Sequence, residues 1–280
     1  MRRVAAAAVI WFGVLVLLSG CSAGAENTVI LGATTSVSDT GLLDEIVAAF
    51  EEQSGYHVKP VVGGSGDILE RARRGELDVV ITHSPADEAD FVAEGFGLEP
   101  KQVMENYFIV AGPPDDPAGV AAASTVEDAF RAIADEGAPF ISRGDKSGTN
   151  KRELAVWEAL DIDPTGRDWY QESAVSQGQN VLVASDKGAY TLVDSSTMAA
   201  LRDRVDLTAF VTDTENPNVY TVMLVNPANH RRVNEEAARA FATFLTGADA
   251  QRLISEFGRD EFGEALFVPL AGDPAAAVTP

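Results

Sequence analysis

Apolar residues along this chain fall in short clusters, separated by segments rich in glycine and hydroxyl side chains, and the clusters alternate between two spacings. Residues 28–33 form a continuous apolar run suited to a strand; Leu42, Leu43, Ile46, Val47 and Phe50 then recur at helical spacing until Gly55, where a helix would stop. The unit repeats, with a strand over 56–62, a turn through Gly63-Gly64-Ser65-Gly66-Asp67, and a helix over 68–74 stopped at Gly75. A third strand, 77–82, ends at His83-Ser84-Pro85. Strands alternating with helices in this way predict an α/β domain with a parallel sheet. In such sheets ligands bind at the carboxyl ends of the strands, which here carry Thr34, Thr35, Ser36, Ser65, Gly66 and Ser84.

A strand over 106–111 and a proline-rich turn over 112–117 precede a second α/β unit. Its predicted elements are a helix over 126–135, a strand at 140–141, a helix running through Leu160, a helix starting at Gln177-Gly178-Gln179-Asn180 and ending near Gly188, a strand over 189–193, and a helix to Leu201 capped by Ser195-Ser196-Thr197. The chain returns through an apolar strand over 220–226 and closes with two helices ending at Gly247 and Gly258. Two lobes follow, residues 28–110 with 222–275 and residues 111–221, hinged by two strands that cross near Ile109 and Val222. Their cleft is the natural place for a ligand.

The loop Ser142-Arg143-Gly144-Asp145-Lys146-Ser147-Gly148-Thr149 joins a strand end to a helix whose Leu154, Trp157 and Leu160 lie at helical spacing. The first amides of a helix have no intrahelical acceptor and carry the positive end of its dipole, so this position suits an anion. Ser147, Gly148 and Thr149 offer backbone donors and two hydroxyls, and Arg143 adds a charged fork. Closing the hinge would bring the hydroxyls of the first lobe against this loop. Asp145, Lys146 and Lys151 read as orienting or surface residues, and the plain alternative for Arg143 is a salt bridge with Asp145 or Glu153.

The first 21 residues differ from the rest. Arg2 and Arg3, an apolar run over 4–18 and then Leu18-Ser19-Gly20-Cys21 form a secretory signal ending in a lipobox-like tetrapeptide. On this reading Cys21, the single cysteine, is expected to be the lipidated first residue of the mature chain, with residues 22–27 as a tether to the outer face of the cell membrane; the plain alternative is an ordinary export signal cleaved nearby. One cysteine allows no intrachain disulfide and no cysteine-rich metal site. Without the signal the chain has 19 basic and 43 acidic residues, a net charge of −24, which argues against nucleic acid. Salt screens that charge within about 8 to 10 Å, so local donors can still hold an anion.

Thr34-Thr35-Ser36, the stretch Gly-Glu-Leu-Asp-Val-Val-Ile-Thr-His-Ser-Pro-Ala-Asp-Glu over 75–88, the loop 142–149 and Lys187-Gly188-Ala189-Tyr190-Thr191-Leu192 together resemble the tungstate-binding proteins of bacterial tungstate ABC importers. The resemblance spans about residues 28–270. It implies a type II periplasmic-binding-protein fold and a monomeric receptor without cofactor or bound metal cation that delivers tungstate to a membrane permease. Site positions carried over are Thr35 and Ser36 at the first helix start, Ser65 at the second, and Arg143, Ser147, Gly148 and Thr149 at the third, with Thr34, Gly66 and Ser84 behind them. Ser65 stands where the family more often has threonine, and Gln177-Gly178-Gln179-Asn180 departs from its Gly-Met-Gly type segment, so no role is carried to residues 176–180.

Phosphate at neutral pH keeps a proton, and its sites benefit from a carboxylate acceptor. Where phosphate receptors place an aspartate after the third strand, this chain has His83-Ser84, which favours an unprotonated dianion: tungstate, molybdate or sulfate. The rival class is an exported serine hydrolase. Gly64-Ser65-Gly66-Asp67 lacks the final glycine of a nucleophile elbow, and only three histidines could supply a base.

Overall fold

The computed structural model describes residues 27–271; the signal segment, Cys21 and all of the tether except Asn27 lie outside them. Strands β1 (Thr28–Thr34), β2 (His57–Gly63) and β3 (Val79–Thr82) are parallel, with β1 in the middle. Helices α1 (Thr35–Asp39), α2 (Leu42–Ser54), α3 (Ser65–Arg73) and α4 (Pro85–Ala93) follow these strands. Two long strands, β4 (Gly97–Gly112) and β8 (Thr208–Val225), pair antiparallel along most of their length. The second half adds α5 (Val126–Glu136), β5 (Phe140–Ser142), α6 (Gly148–Ala159), β6 (Tyr170–Glu172), α7 (Gln177–Lys187), β7 (Thr191–Asp194) and α8 (Ser195–Leu201). Helices α9 (Glu235–Leu245), α10 (Ala248–Glu256) and α11 (Arg259–Phe262) and strand β9 (Val268–Pro269) complete the described chain.

The main sheet runs β2-β1-β3-β8-β4-β7, with β9 on β4, while β5 and β6 form a parallel pair beside β7. This is the two-lobed α/β architecture read from the sequence. β3 is a run of β-branched residues buried on both faces, as a central strand requires. α2 buries Leu42, Leu43, Ile46 and Phe50 along one stripe and stops at Gly55, whose φ of 75° few other residues adopt at low cost.

Each lobe has cores of its own. In the first, Phe50 packs edge-on against Phe241 at 5.1 Å among Leu31, Leu43 and Leu245. In the second, Phe130, Phe140 and Trp157 stack within 4.4 to 5.5 Å of one another. Burying one such side chain contributes about 1.5–3 kcal/mol, so each lobe coheres without the other and can move as a body.

Four local readings change. The hydroxyl-rich segment after β1 contains a helical turn, α1, rather than only a loop. Helix α4 was not anticipated. β4 and β8 have 16 and 18 residues, far beyond the expected 106–111 and 220–226. Their extra lengths include Glu99 to Gln102 and Thr214 to Pro217, which are exposed and carry no apolar signal. The cap of α8 is Asp194, whose side chain accepts from the Thr197 amide, so Ser195 to Thr197 lie inside the helix. No helix among the described residues is long and apolar enough to cross a membrane.

Candidate functional site

Five helix starts meet between the lobes: α1, α3 and α4 from the first, α6 and α7 from the second. A Cβ on Gly64, before α3, would lie 3.5 Å from the Cα of Ser147, and one on Gly66 would lie 3.4 Å from the Lys146 carbonyl. A Cβ on Gly148 would meet the His83 carbonyl at 2.4 Å, closer than any real contact. The Gly178 amide of α7 donates to Asp39 of α1 at 2.9 Å, and Lys151 of α6 pairs with Asp87 of α4. The lobes are therefore closed on one another. A cleft of about 430 Å³ lined in part by His83, Ser84, Gly148, Lys151 and Asn218 borders this junction.

Arg143, in the loop before α6, is a buried cation, 2% exposed. Nη1 donates to Gln177 Oε1 at 2.6 Å and Nη2 to Asp145. The salt bridge with Asp145 is thus real, but it is buried on the Arg143 side and holds the guanidinium in place. Glu153 instead accepts from Ser142, Trp157 and Tyr170. Burial raises its pKa from the ordinary carboxylate value, and among the described residues it forms no ion pair with Arg143, whose ion pair is with Asp145. Among the described residues three buried side-chain atoms lack a hydrogen-bond partner: Arg143 Nε, Thr149 Oγ1 and Gln177 Nε2. Buried polar atoms are nearly always paired, and an unpaired one costs about 1–3 kcal/mol, so these three mark a candidate binding site.

The loop before α6 is arranged around the same point. The Ser147 amide donates to Asp145 at 3.0 Å, so it is not among the free donors the sequence suggested. Ser147 Oγ caps α6 by accepting from Asn150 N at 3.3 Å, which leaves its hydrogen available. Gly148 and Thr149 are the first two helical residues, whose amides have no acceptor inside the helix.

The first-lobe hydroxyls differ in how far they are committed. Ser65 Oγ accepts from the His83 amide at 3.2 Å and keeps its own hydrogen. Ser36 Oγ accepts from the Tyr220 hydroxyl at 3.0 Å and lies 3.2 Å from Thr34 Oγ1. Thr35 is half-exposed at the start of α1, and Gly66 is half-buried in α3. Ser84 donates its hydroxyl to Asp87 at 2.7 Å and its amide to Glu88 at 2.9 Å, an arrangement that secures α4.

His83 lies beneath these groups. Its Nδ1 is 2.7 Å from Asn218 Oδ1, which places the proton on Nδ1, and its ring is 4.9 Å from that of Tyr220. Burial lowers its pKa to about 4, against the raising effect of the Asn218 bond. Nε2 lies 3.5 Å from Ser36 Oγ, so Ser36, His83 and Asn218 are arrayed in the order of a hydrolase triad. Chemistry argues against that use. A ring with a pKa near 4 is a weak base at neutral pH, and the Asn218 amide is neutral where a triad carboxylate would stabilise imidazolium.

Sequence reasoning located the loop and the hydroxyl turns but missed Gln177, the hinge residues Asn106 and Asn218, and the Asp39 contact. The available signal for Gln177 was topological, since α7 follows a strand just as α6 does. Among the described residues no cluster of three His, Cys, Asp or Glu could hold a metal ion.

A hinged pair of α/β lobes closing helix starts around a buried arginine defines a type II periplasmic binding protein, a solute receptor rather than an enzyme. A family model described as a PBP superfamily domain matches residues 22–249. The chain belongs to the family of the TupA tungstate-binding proteins. It is 39% identical over 250 residues to the tungstate-binding protein TupA of Peptoclostridium acidaminophilum, covering 88% of this chain and 87% of that protein. It is 42% identical over 256 residues to a putative ABC transporter anion-binding protein of Haloferax volcanii, covering 89% and 73%. The crystal structure of the tungstate ABC transporter from Geobacter sulfurreducens aligns at 37% identity with a TM-score of 0.75, covering 83% of this chain and 99% of that one.

Two outcomes test this geometry. Gly148→Ala places a methyl where the His83 backbone sits on closure; we expect at least tenfold weaker ligand affinity by calorimetry, with a ligand-free melting temperature near wild type. An affinity equal to wild type would show that the approach is slack. The low His83 pKa makes the unfolded state bind the extra proton between about pH 6.5 and 4, so its contribution is complete above 6.5 and lost on acidification toward 4, by roughly 3 kcal/mol. Denaturant titrations should show a shallower acid slope in His83→Gln than in wild type, and the His83 ring should stay neutral by NMR at pH 5.5. A ring that titrates near 6.5 would contradict this account.

Proposed function

We propose that the protein is an extracytoplasmic receptor that captures tungstate between its lobes and delivers it to an ABC permease. The observation that carries this reading is the buried Arg143 with unpartnered donors of its own, of Thr149 and of Gln177 at the closed helix starts. Arg143, Ser147, Gly148 and Thr149 form the second-lobe half of the shell, and Thr35, Ser36 and Ser65, backed by Thr34 and Gly66, form the first-lobe half. Ser84, bonded to Asp87, holds α4 in place.

The choice of an unprotonated dianion has support in the disposition of the nearby carboxylates. Asp145, Asp39 and Asp87 already accept donors, from Arg143 and the Ser147 amide, the Gly178 amide, and Ser84 and Lys151 respectively. They serve as braces and latches. Tungstate rather than molybdate or sulfate is supported by the relatives bearing the tungstate-binding name.

The mature chain works as a monomer, divided into lobes 28–110 with 222–275 and 111–221, and held to the membrane by a lipid on Cys21. No cofactor is required.

Calorimetry of the mature chain should show tight binding of tungstate, with a stabilisation of about 4 kcal/mol at a thousandfold excess over Kd. Competition by molybdate and sulfate ranks the dianions, and preference for phosphate would sink the assignment. Arg143→Ala should weaken tungstate at least a hundredfold with the fold retained, because a charged donor to a desolvated dianion is lost; unchanged binding would make Arg143 structural. In cells, Cys21→Ser should move the protein from the detergent phase to the aqueous phase on phase partitioning, and an unchanged distribution would argue against the lipid anchor.

A further inference from the structure

We infer that Gln177 is an anion-contacting residue in its own right, a neutral donor that favours oxyanions carrying no proton; this rests on the reading of the cleft as an oxyanion site. Gln177 opens α7 and is fully buried. Its Oε1 accepts from Arg143 Nη1 at 2.6 Å. A guanidinium has only donors, so the orientation of this carboxamide is fixed by chemistry: the oxygen must face Arg143 and the NH2 must lie on the other arm. That NH2 has no acceptor among the described residues.

The polar neighbours on the same helix start are otherwise engaged. Ser176 caps the helix by accepting from Gln179 N at 3.4 Å. Asn180 donates to Thr191 at 2.9 Å and accepts from Ser173 at 2.6 Å, so both arms of its amide are used. Gln177 alone of these keeps two buried hydrogens to give, and it keeps them next to Arg143, whose Nη1 and Nη2 are taken while Nε is not. Guanidinium Nε and carboxamide Nε2 are thus a pair of open donors held together by the Nη1 bond.

Position ties this pair to closure. The next residue, Gly178, gives its amide to Asp39 of the opposite lobe. The latch and the donor are therefore adjacent on one helix start, and forming one brings the other into the closed cleft. An amide NH2 can only donate on that arm, so it suits an oxygen lone pair and offers no acceptor for the proton of a protonated oxyanion, which would be left unpaired in the closed cleft.

The competing role is a brace that merely holds Arg143, and Gln177→Glu separates the two. Glutamate keeps an oxygen for Nη1 but replaces the free donor with an acceptor and adds charge. Added charge alone would weaken both dianions equally, so for a brace tungstate and hydrogen phosphate lose affinity in equal proportion, and equal losses, or none, would overturn the inference. A ligand donor predicts at least thirtyfold weaker tungstate, with hydrogen phosphate weakened less than tungstate by calorimetry at pH 7. Gln177→Met, which removes the donor without adding charge, decides the matter should the glutamate variant not fold; we expect at least fivefold weaker tungstate, and wild-type affinity would overturn the inference. Wild-type protein that binds none of tungstate, molybdate, sulfate or phosphate would overturn the proposed function together with this inference, whereas wild-type binding with unaffected Gln177 variants overturns the inference alone.

Discussion

The buried carboxylate of Asp194 sets the direction of the hydrogen bonds that run through the hinge. It accepts from Asn106, Ser196, and the amide and hydroxyl of Thr197. Because a carboxylate only accepts, Asn106 must turn its NH2 toward Asp194 and its oxygen toward Asn218 Nδ2, 2.8 Å away. Asn218 must then turn its oxygen to His83 Nδ1, and its NH2 also reaches the Tyr220 hydroxyl at 3.1 Å. Tyr220 in turn donates its hydroxyl hydrogen bond to Ser36 Oγ. One acceptor at the second-lobe sheet edge thereby fixes the His83 tautomer and the role of a hydroxyl at the first-lobe helix start. Such a chain holds the hinge strands in register where their ladder is irregular, at the shift between Asn106 and Phe108.

Charge in the cleft is arranged so that the acidity of the whole chain matters little. Arg143 supplies one positive charge, Asp145 offsets part of it, and His83 is neutral at physiological pH. Lys151 is paired with Asp87, and the remaining donors are neutral hydroxyls, amides and helix starts. This arrangement is strong at contact distance and weak beyond a Debye length, so a strongly acidic surface and the proposed dianion site can coexist. It also explains why composition reported nothing about the ligand.

Much of the fold was legible because each lobe buries its helices along continuous apolar stripes and stops them at glycines such as Gly55 and Gly137. What escaped was held by polar contacts. The added lengths of β4 and β8 are exposed, Lys101 and Gln102 laddering onto Val222 and Thr221 while Thr214 to Pro217 lie in a register shift, and α4 is secured by Glu88 accepting from Thr82 and Ser84 rather than by a wide apolar face. The same split applies to the site. The loop around Arg143 announces itself through a helix start preceded by a cation, and the hydroxyl turns through their repetition after successive strands. Gln177 and the asparagine pair do not, since an amide side chain has the same composition signature on the surface as in a cleft. Only the partners reveal which of its two arms is free.

The balance between latches and open donors bears on what drives closure. The Lys151–Asp87 pair is partly solvent-exposed, and pairs of that kind contribute at most about 1 kcal/mol. The exposed Asp39–Gly178 bond adds a similar amount. Against them stand three buried donors without partners, each costing about 1–3 kcal/mol when left unmet. On those magnitudes, closing around nothing costs more than the latches return. On the proposed reading, an anion that satisfies these donors would reverse the sign. Under the proposed function, closure would report occupancy, and the information a permease needs would be carried by the relative position of the two lobes rather than by a local rearrangement within them.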